Sequence, residues 1–246
     1  MKITFIGSSH GVPAPDRYCS CAMLEIGKSI YFIDAGAPVI DELLRLGRDV
    51  NDVRTVFTTH VHGDHTNGIL HMADLMNWYY RDSSADFYVT EQELADSLTQ
   101  LISLVGNKLD PERIRFHTVD ADFVYEDDNM RLSLIPTKHM ASQNRPAYAI
   151  LIEAEGKRVL FSGDMSYMLE KADVPKIVAE EELDVFICEM AHFGVAQIAP
   201  YLETCKAKAV YFNHVYPFDK FDQIRALNGK YSYPVYLVAD RDEINL

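Results

Sequence analysis

The chain is short of several things, and each shortage narrows what it does. No stretch of its 246 residues approaches the ~20 consecutive apolar positions of a membrane-crossing helix, so no membrane role is expected. The opening run, Met1-Lys2-Ile3-Thr4-Phe5-Ile6-Gly7, alternates like a strand and is too short for a secretory leader. Cysteine is scarce: Cys19, Cys21, Cys188 and Cys205 are too few and too scattered for a disulfide framework. A reducing cytoplasm is the expected compartment. Positive charge is in deficit, with 23 basic against 37 acidic side chains and a net charge of −14. Such a surface disfavours a long nucleic acid held by counterion release. It still admits a small anion drawn to bound cations, and two divalent ions would offset about four of the negative charges. Linkers, low-complexity tracts and short tandem repeats are missing too, so residues 1–246 read as a single domain. At 48% hydrophobic content that length buries a core without cross-links.

Histidine, by contrast, is concentrated. His60-Val61-His62-Gly63-Asp64-His65 packs three imidazoles and a carboxylate into six positions, directly after the apolar run Val53 to Thr58 and Thr59. Imidazole suits zinc and similar ions, and carboxylate suits harder ones. If the chain stays extended on leaving a strand, His60 and His62 point the same way and grip one metal. Gly63 then lets the chain turn sharply and aim Asp64 and His65 at a second. A solvated histidine-rich turn is the bland alternative; the apolar strand before it and the amphipathic segment after it argue against that. Cys19-Ser20-Cys21 offers half of an extra metal site, but no second cysteine pair accompanies it. Cys188, inside Val185-Phe186-Ile187-Cys188, reads as a small buried apolar residue.

Thr59 to His65 resembles the T-H-x-H-x-D-H signature of the metallo-β-lactamase superfamily, and the resemblance covers nearly the whole chain in the right order. It implies a third histidine for the first ion, matched by His139 after Leu132 to Lys138. It implies a bridging aspartate in an S-G-D turn, matched by Asp164, and a final histidine after another strand, matched by His214. On that footing His60, His62 and His139 hold one ion, Asp64, His65 and His214 hold the other, and Asp164 bridges them. Zinc is the expected metal of the pair, with manganese and iron tolerated by the same ligands. Asp34, in Asp34-Ala35-Gly36 where the family carries D-x-G, either orients a metal-bound histidine from behind or caps a turn. The loop Gly7-Ser8-Ser9-His10-Gly11-Val12-Pro13 resembles the G-x-x-x-G-V-P loop of the phosphodiesterase branch, which includes ribonuclease Z and cyclic phosphodiesterases. It lacks the Gly-Lys-Ser/Thr of a nucleotide P-loop.

Apolar patterning gives strands first in pairs and later alternating with helices, a course taken twice. Two mixed sheets packed face to face with helices outside satisfy it, and the resemblance implies the same α/β architecture, a four-layer αββα sandwich. Helices are expected over Pro38 to Leu46, Gly68 to Tyr80, Glu91 to Val105, Met165 to Glu182 with a break near Pro175, Ala196 to Ala207 and Phe218 to Leu227. Tyr233 to Val238 is expected to close the sheet. His71 and His117 read as structural, while Tyr148 either lines a pocket or packs in the core.

These ligands predict a hydrolase whose nucleophile is a metal-bound hydroxide shared by two ions. Asp64 serves as ligand and orients that nucleophile. His192, in Glu189-Met190-Ala191-His192-Phe193, is the expected general acid, with Glu189 fixing its tautomer; local packing is the competing explanation. The expected substrate is a small phosphodiester, cyclic or nucleotide-derived. Ribonuclease Z inserts a long tRNA-gripping arm between the third histidine and the bridging aspartate, whereas here that interval is 25 positions (139 to 164) filled by one hairpin. A lactone, thioester or β-lactam is the alternative substrate class, because the same ions would attack a carbonyl. A non-catalytic metal-binding interaction domain is the alternative of another kind, disfavoured by seven filled ligand positions. A redox di-iron site would call for more carboxylate. A homodimer is compatible with all of these readings.

Overall fold

Short apolar runs closed by turns become the strands of the first unit. The structure is a computed structural model that describes residues 1–167 and 173–246. It divides into two compact units, one made of residues 1–7, 11–119 and 240–245, the other of residues 8–10, 120–239 and 246. In the first unit β1 (Lys2–Gly7), β2 (Cys21–Ile26) and β3 (Ser29–Ile33) pair antiparallel. The sheet continues in parallel through β4 (Val53–Phe57), β5 (Ala85–Val89) and β6 (Ile114–Thr118). Parallel neighbours need crossovers; α1 (Val39–Arg45), α2 (Gly63–Trp78) and α3 (Gln92–Leu104) provide them. β3 is buried at every position, which is why its sequence is almost continuously apolar instead of alternating. Ile40, Leu43, Ile69, Met72, Met76, Leu98 and Ile102 of the helices share one core with Met23, Phe32, Val56 and Phe87 of the sheet. Each such side chain contributes about 1.5–3 kcal/mol through burial.

The second unit repeats the plan. β7 (Val124–Glu126), β8 (Met130–Pro136), β9 (Tyr148–Ala154) and β10 (Lys157–Phe161) run antiparallel. β10 then pairs in parallel with β11 (Val185–Met190), followed by β12 (Val210–Val215) and β13 (Val235–Leu237). Its helices are α4 (Ile177–Glu180), α5 (Val195–Thr204) and α6 (Lys220–Arg225). A last strand, β14 (Glu243–Asn245), returns to the first unit and pairs antiparallel with β1. The fully buried Glu42 of α1 anchors that return, accepting from Arg241 Nε at 3.0 Å and from Arg45 Nη1 at 2.5 Å. Each unit thus holds one mixed seven-stranded sheet with helices, in the expected α/β class.

Three sequence expectations need correction. α2 begins at Gly63, five residues before the expected start at Gly68, so Asp64 and His65 stand in its first turn and not in a sharp turn after Gly63. His60 and His62 lie in the loop between β4 and α2, not in an extension of the strand. The long helix expected over Met165 to Glu182 is reduced to the four residues of α4 among the described residues; residues 168–172 of that stretch lie outside them. Asp173 draws the chain elsewhere there, its carboxylate accepting from the backbone N–H groups of Lys138 and Ser166. β14 was not expected, being three residues long with two of them exposed.

Candidate metal centre

Every candidate ligand sits at or just beyond the carboxyl end of a strand, the end at which open α/β sheets place their ligands. In the first unit Asp34 follows β3, and His60, His62, Asp64 and His65 follow β4. The Asp34-Ala35-Gly36 turn is bolted to the start of α2: Ala35 N donates to His65 O at 2.7 Å and Gly68 N to Ala35 O at 2.7 Å. A Cβ on Gly36 would lie 1.7 Å from Asp64 O, so only glycine fits. A Cβ on Gly11 would meet Asp64 Oδ2 at 3.1 Å, which lays the N-terminal glycine loop against that carboxylate.

The side chains of this half fall into two kinds of contact. Asp34 Oδ2 takes His65 Nδ1 at 2.6 Å, and Asp34 Oδ1 accepts from Thr59 N at 2.8 Å. Asp34 thereby sits behind a candidate ligand and braces Thr59, the first of the two alternatives left open by the sequence, and not merely a turn cap. Its bond keeps the proton on His65 Nδ1 and the lone pair on Nε2. Thr59 Oγ1 contacts His60 Nδ1 at 3.0 Å in the same way. The other kind of contact involves the nitrogens on the far side: His60 Nε2 faces His62 Nδ1 at 3.0 Å, and His65 Nε2 faces Asp64 Oδ2 at 3.5 Å.

The second unit shows the same two kinds. Asp164 Oδ1 faces His214 Nε2 at 3.3 Å, while Asp164 Oδ2 faces His139 Nε2 at 3.7 Å and His192 Nε2 at 3.8 Å. Charge-assisted N–H···O contacts run about 2.7–2.9 Å, so these are too long to be ordinary imidazole–carboxylate bonds. Two atoms each ~2.0–2.2 Å from one tetrahedral ion are roughly 3.3–3.6 Å apart. The His214 contact falls in that range and the His139 contact lies just beyond it, and the all-nitrogen-and-oxygen donor set suits divalent cations. Glu189 supplies the short contact, its Oε1 taking His192 Nδ1 at 2.8 Å and Met165 N at 2.8 Å. That contact brings Glu189 within hydrogen-bond reach of the ring whose tautomer it was expected to fix.

Local backbone geometry aims these groups. His214 has φ +54°, and the β11–β12 register skips between Glu189 and Met190, leaving His214 as the extra residue of a bulge. Bulges next to active sites re-aim side chains, and the strain of a left-handed non-glycine residue is characteristic of such places. His214 N donates to Ser8 O at 3.1 Å. His192 is the most open of its group, with 24% of its side chain exposed against 8% or less for His139, Asp164 and His214.

Several contributors were not legible beforehand. His10 stacks on Tyr216 at 4.5 Å between ring centres and stands edge-on to His214 at 5.4 Å. Asp173 ties the His139 loop to the residue after Met165. His10 lies within the Gly7-to-Pro13 loop already singled out but at one of its variable positions, and Asp173 has no flanking motif that would mark it. Tyr148 proves to be core, buried at the start of β9, where burial pushes its phenol up. His71 is exposed, and His117 pairs with Asp86 at 2.6 Å, both consistent with structural roles. Burial pushes the thiols of Cys21 and Cys188 well up. Burial, followed by the charge of Asp64, raises that of Cys19.

Residues 1–215 match the family model described as the anti-Pycsar protein Apyc1. The chain belongs to the Apyc1 family. Its relatives by sequence include ribonuclease Z of Crocosphaera subtropica, 31% identical over 160 residues that cover 64% of this chain and 49% of the relative. Ribonuclease Z of Synechococcus sp. strain CC9311 is 27% identical over 175 residues, covering 69% and 54%. The chain spans about half the length of these curated relatives. Among solved structures, the metallo-β-lactamase fold protein YhfI of Bacillus subtilis superposes with a TM-score of 0.78 at 16% identity, covering 99% of this chain and 98% of that one. Human short-form tRNase Z superposes with 0.76 at 18% identity over 100% and 99%. This Apyc1-family chain therefore has the metallo-β-lactamase fold, with its sequence affinity on the phosphodiesterase branch.

Proposed function

We propose that the protein is a dinuclear metal-dependent hydrolase acting on a small phosphodiester, cyclic or nucleotide-derived. His60, His62 and His139 would hold one ion and Asp64, His65 and His214 the other, with Asp164 between them. The observation that carries the reading is Asp164 itself, whose Oδ1 faces His214 Nε2 at 3.3 Å and whose Oδ2 faces His139 Nε2 at 3.7 Å, so that each oxygen turns to a proposed ligand of a different ion. Zinc is the first choice of ion for this donor set, with manganese and iron next.

When bound, such cations bring the pKa of water down toward ~7 and polarise phosphoryl oxygens. The chain's own groups do the rest. Asp64, at the start of α2, orients the attacking water. Its neighbour His65 is kept in one tautomer by Asp34. His192 holds its Nδ1–H on Glu189 and delivers the proton on Nε2 to the leaving oxygen as the P–O bond breaks.

A small substrate is favoured over tRNA by the short β9–β10 hairpin that fills the interval between His139 and Asp164, and by the net charge of −14. Among the described residues no helix is long and apolar enough to cross a membrane. We place the protein in the cytoplasm, as a monomer or homodimer. The test is a substrate panel of bis(p-nitrophenyl) phosphate, a 3′,5′-cyclic nucleotide, a thioester and a lactone, assayed with and without chelator. Metal-dependent turnover of the diesters is expected; turnover of only the thioester and lactone would contradict the proposal.

A further inference from the structure

The turn that carries His192 is held from two sides by opposite charges. Glu189 serves its N–H groups: Oε2 accepts from Ala191 N at 2.7 Å and from His192 N at 3.2 Å. Its carbonyls are served by one ammonium group. Lys220 Nζ donates to Met190 O at 2.9 Å, to Ala191 O at 3.1 Å and to Phe193 O at 2.7 Å. All three donors of the lysine are thereby committed, and no other side chain offers three donors from one centre without a planar fork. Helix α6 gains nothing from this arrangement, since Lys220 is its first residue and a cation at a helix N-terminus opposes the macrodipole. Burial lowers the pKa of Lys220, against the opposing pull of the charges on Glu189 and Asp219. The lysine is thus half-buried at a cost, and its three bonds fix the path of residues 190–193.

We infer that Lys220 is a positioning residue for His192, fixing the imidazole by clamping the carbonyls on either side of it. This rests on the reading of His192 as the proton donor to the leaving group. Lys220 itself touches no reacting atom; it acts through the turn. A donor displaced by about 1 Å costs up to a hundredfold in rate, so the clamp matters most where the leaving oxygen needs that proton.

The experiment compares Lys220→Met, His192→Ala and the double variant on two substrates. One is a 3′,5′-cyclic nucleotide, whose alkoxide must be protonated as it leaves; the other is bis(p-nitrophenyl) phosphate, whose leaving group departs unaided. Lys220→Met is expected to keep its metal, to lose about ten- to a hundredfold in kcat on the cyclic nucleotide with KM unchanged, and to lose little on the aryl diester. Added to His192→Ala it is expected to do no further harm. The His192 Nδ1–H signal, to be followed by NMR in both proteins, is expected to shift or vanish in Lys220→Met relative to the wild type. Equal losses on both substrates, or a further loss on top of His192→Ala, would make Lys220 a general structural residue and overturn the inference. So would an unchanged Nδ1–H signal. If His192→Ala alone keeps full turnover, the proton-donor reading fails, and the NMR signal in Lys220→Met still decides whether the lysine positions the ring. Should the methionine variant not fold, Lys220→Arg is read the same way, because a planar guanidinium keeps the charge without serving three carbonyls.

Discussion

Asp34 meets His65 Nδ1 at 2.6 Å from a left-handed backbone position, φ +59°, and is itself buried. One oxygen of this buried, strained carboxylate serves the His65 imidazole and the other accepts from Thr59 N, a bond that the amide oxygen of asparagine can keep. Asp34→Asn tolerates the same φ but replaces an acceptor with an amide, which leaves the His65 tautomer undefined. Metal affinity at that position should fall roughly 10–100-fold, measured by chelator competition, with the unfolding midpoint little changed.

His192 and His60 should separate cleanly. His192→Ala is expected to retain its metal and lose about 10²–10⁴-fold in kcat on a cyclic nucleotide. His60→Ala is expected to lose metal and turnover together. Elemental analysis beside steady-state kinetics reads both.

Gly36→Ala tests the fold beneath the site. The added Cβ would meet Asp64 O at 1.7 Å, a backbone atom of α2 that cannot swing aside. A loss of about 3 kcal/mol or more is expected from such a steric clash in a buried turn, seen as a lower denaturant midpoint.

The α/β architecture was legible in the apolar patterning, but several element boundaries were not. His60 to His65 stood out as a cluster, and the resemblance then pointed to His139, Asp164 and His214, each of which lies at or after the end of a strand. The start of α2 was misread because Gly63 suggests a bend, yet Asp64 in the first turn suits a helix N-terminus equally well. β14 escaped because its pairing with β1 joins opposite ends of the chain and its anchor, Arg241 on Glu42, spans 199 positions. Asp173, Glu42 and Lys220 act through bonds to distant groups, a relationship that no local pattern encodes.

Part of the acid sensitivity should trace to Asp86, one of several carboxylates held low by basic neighbours. Burial alone would raise its carboxyl, but Arg115 at 2.6 and 2.7 Å and His117 at 2.6 Å hold it below the ordinary carboxylate range. A depressed folded pKa contributes stability that is present above the unfolded value of about 3.9 and is lost as pH falls through the folded value. Asp86→Asn should therefore be less stable than wild type at pH 7, with the difference closing in strong acid. Urea midpoints taken from pH 7 down to pH 2 check this.

Metal content is the most direct test of the whole proposal. Elemental analysis of purified wild type, His60→Ala and His214→Ala, each reconstituted with zinc and desalted, should give about two ions per chain for the wild type and a clear loss in each variant. Wild-type protein that binds no divalent metal, or variants that keep the full complement, would contradict it.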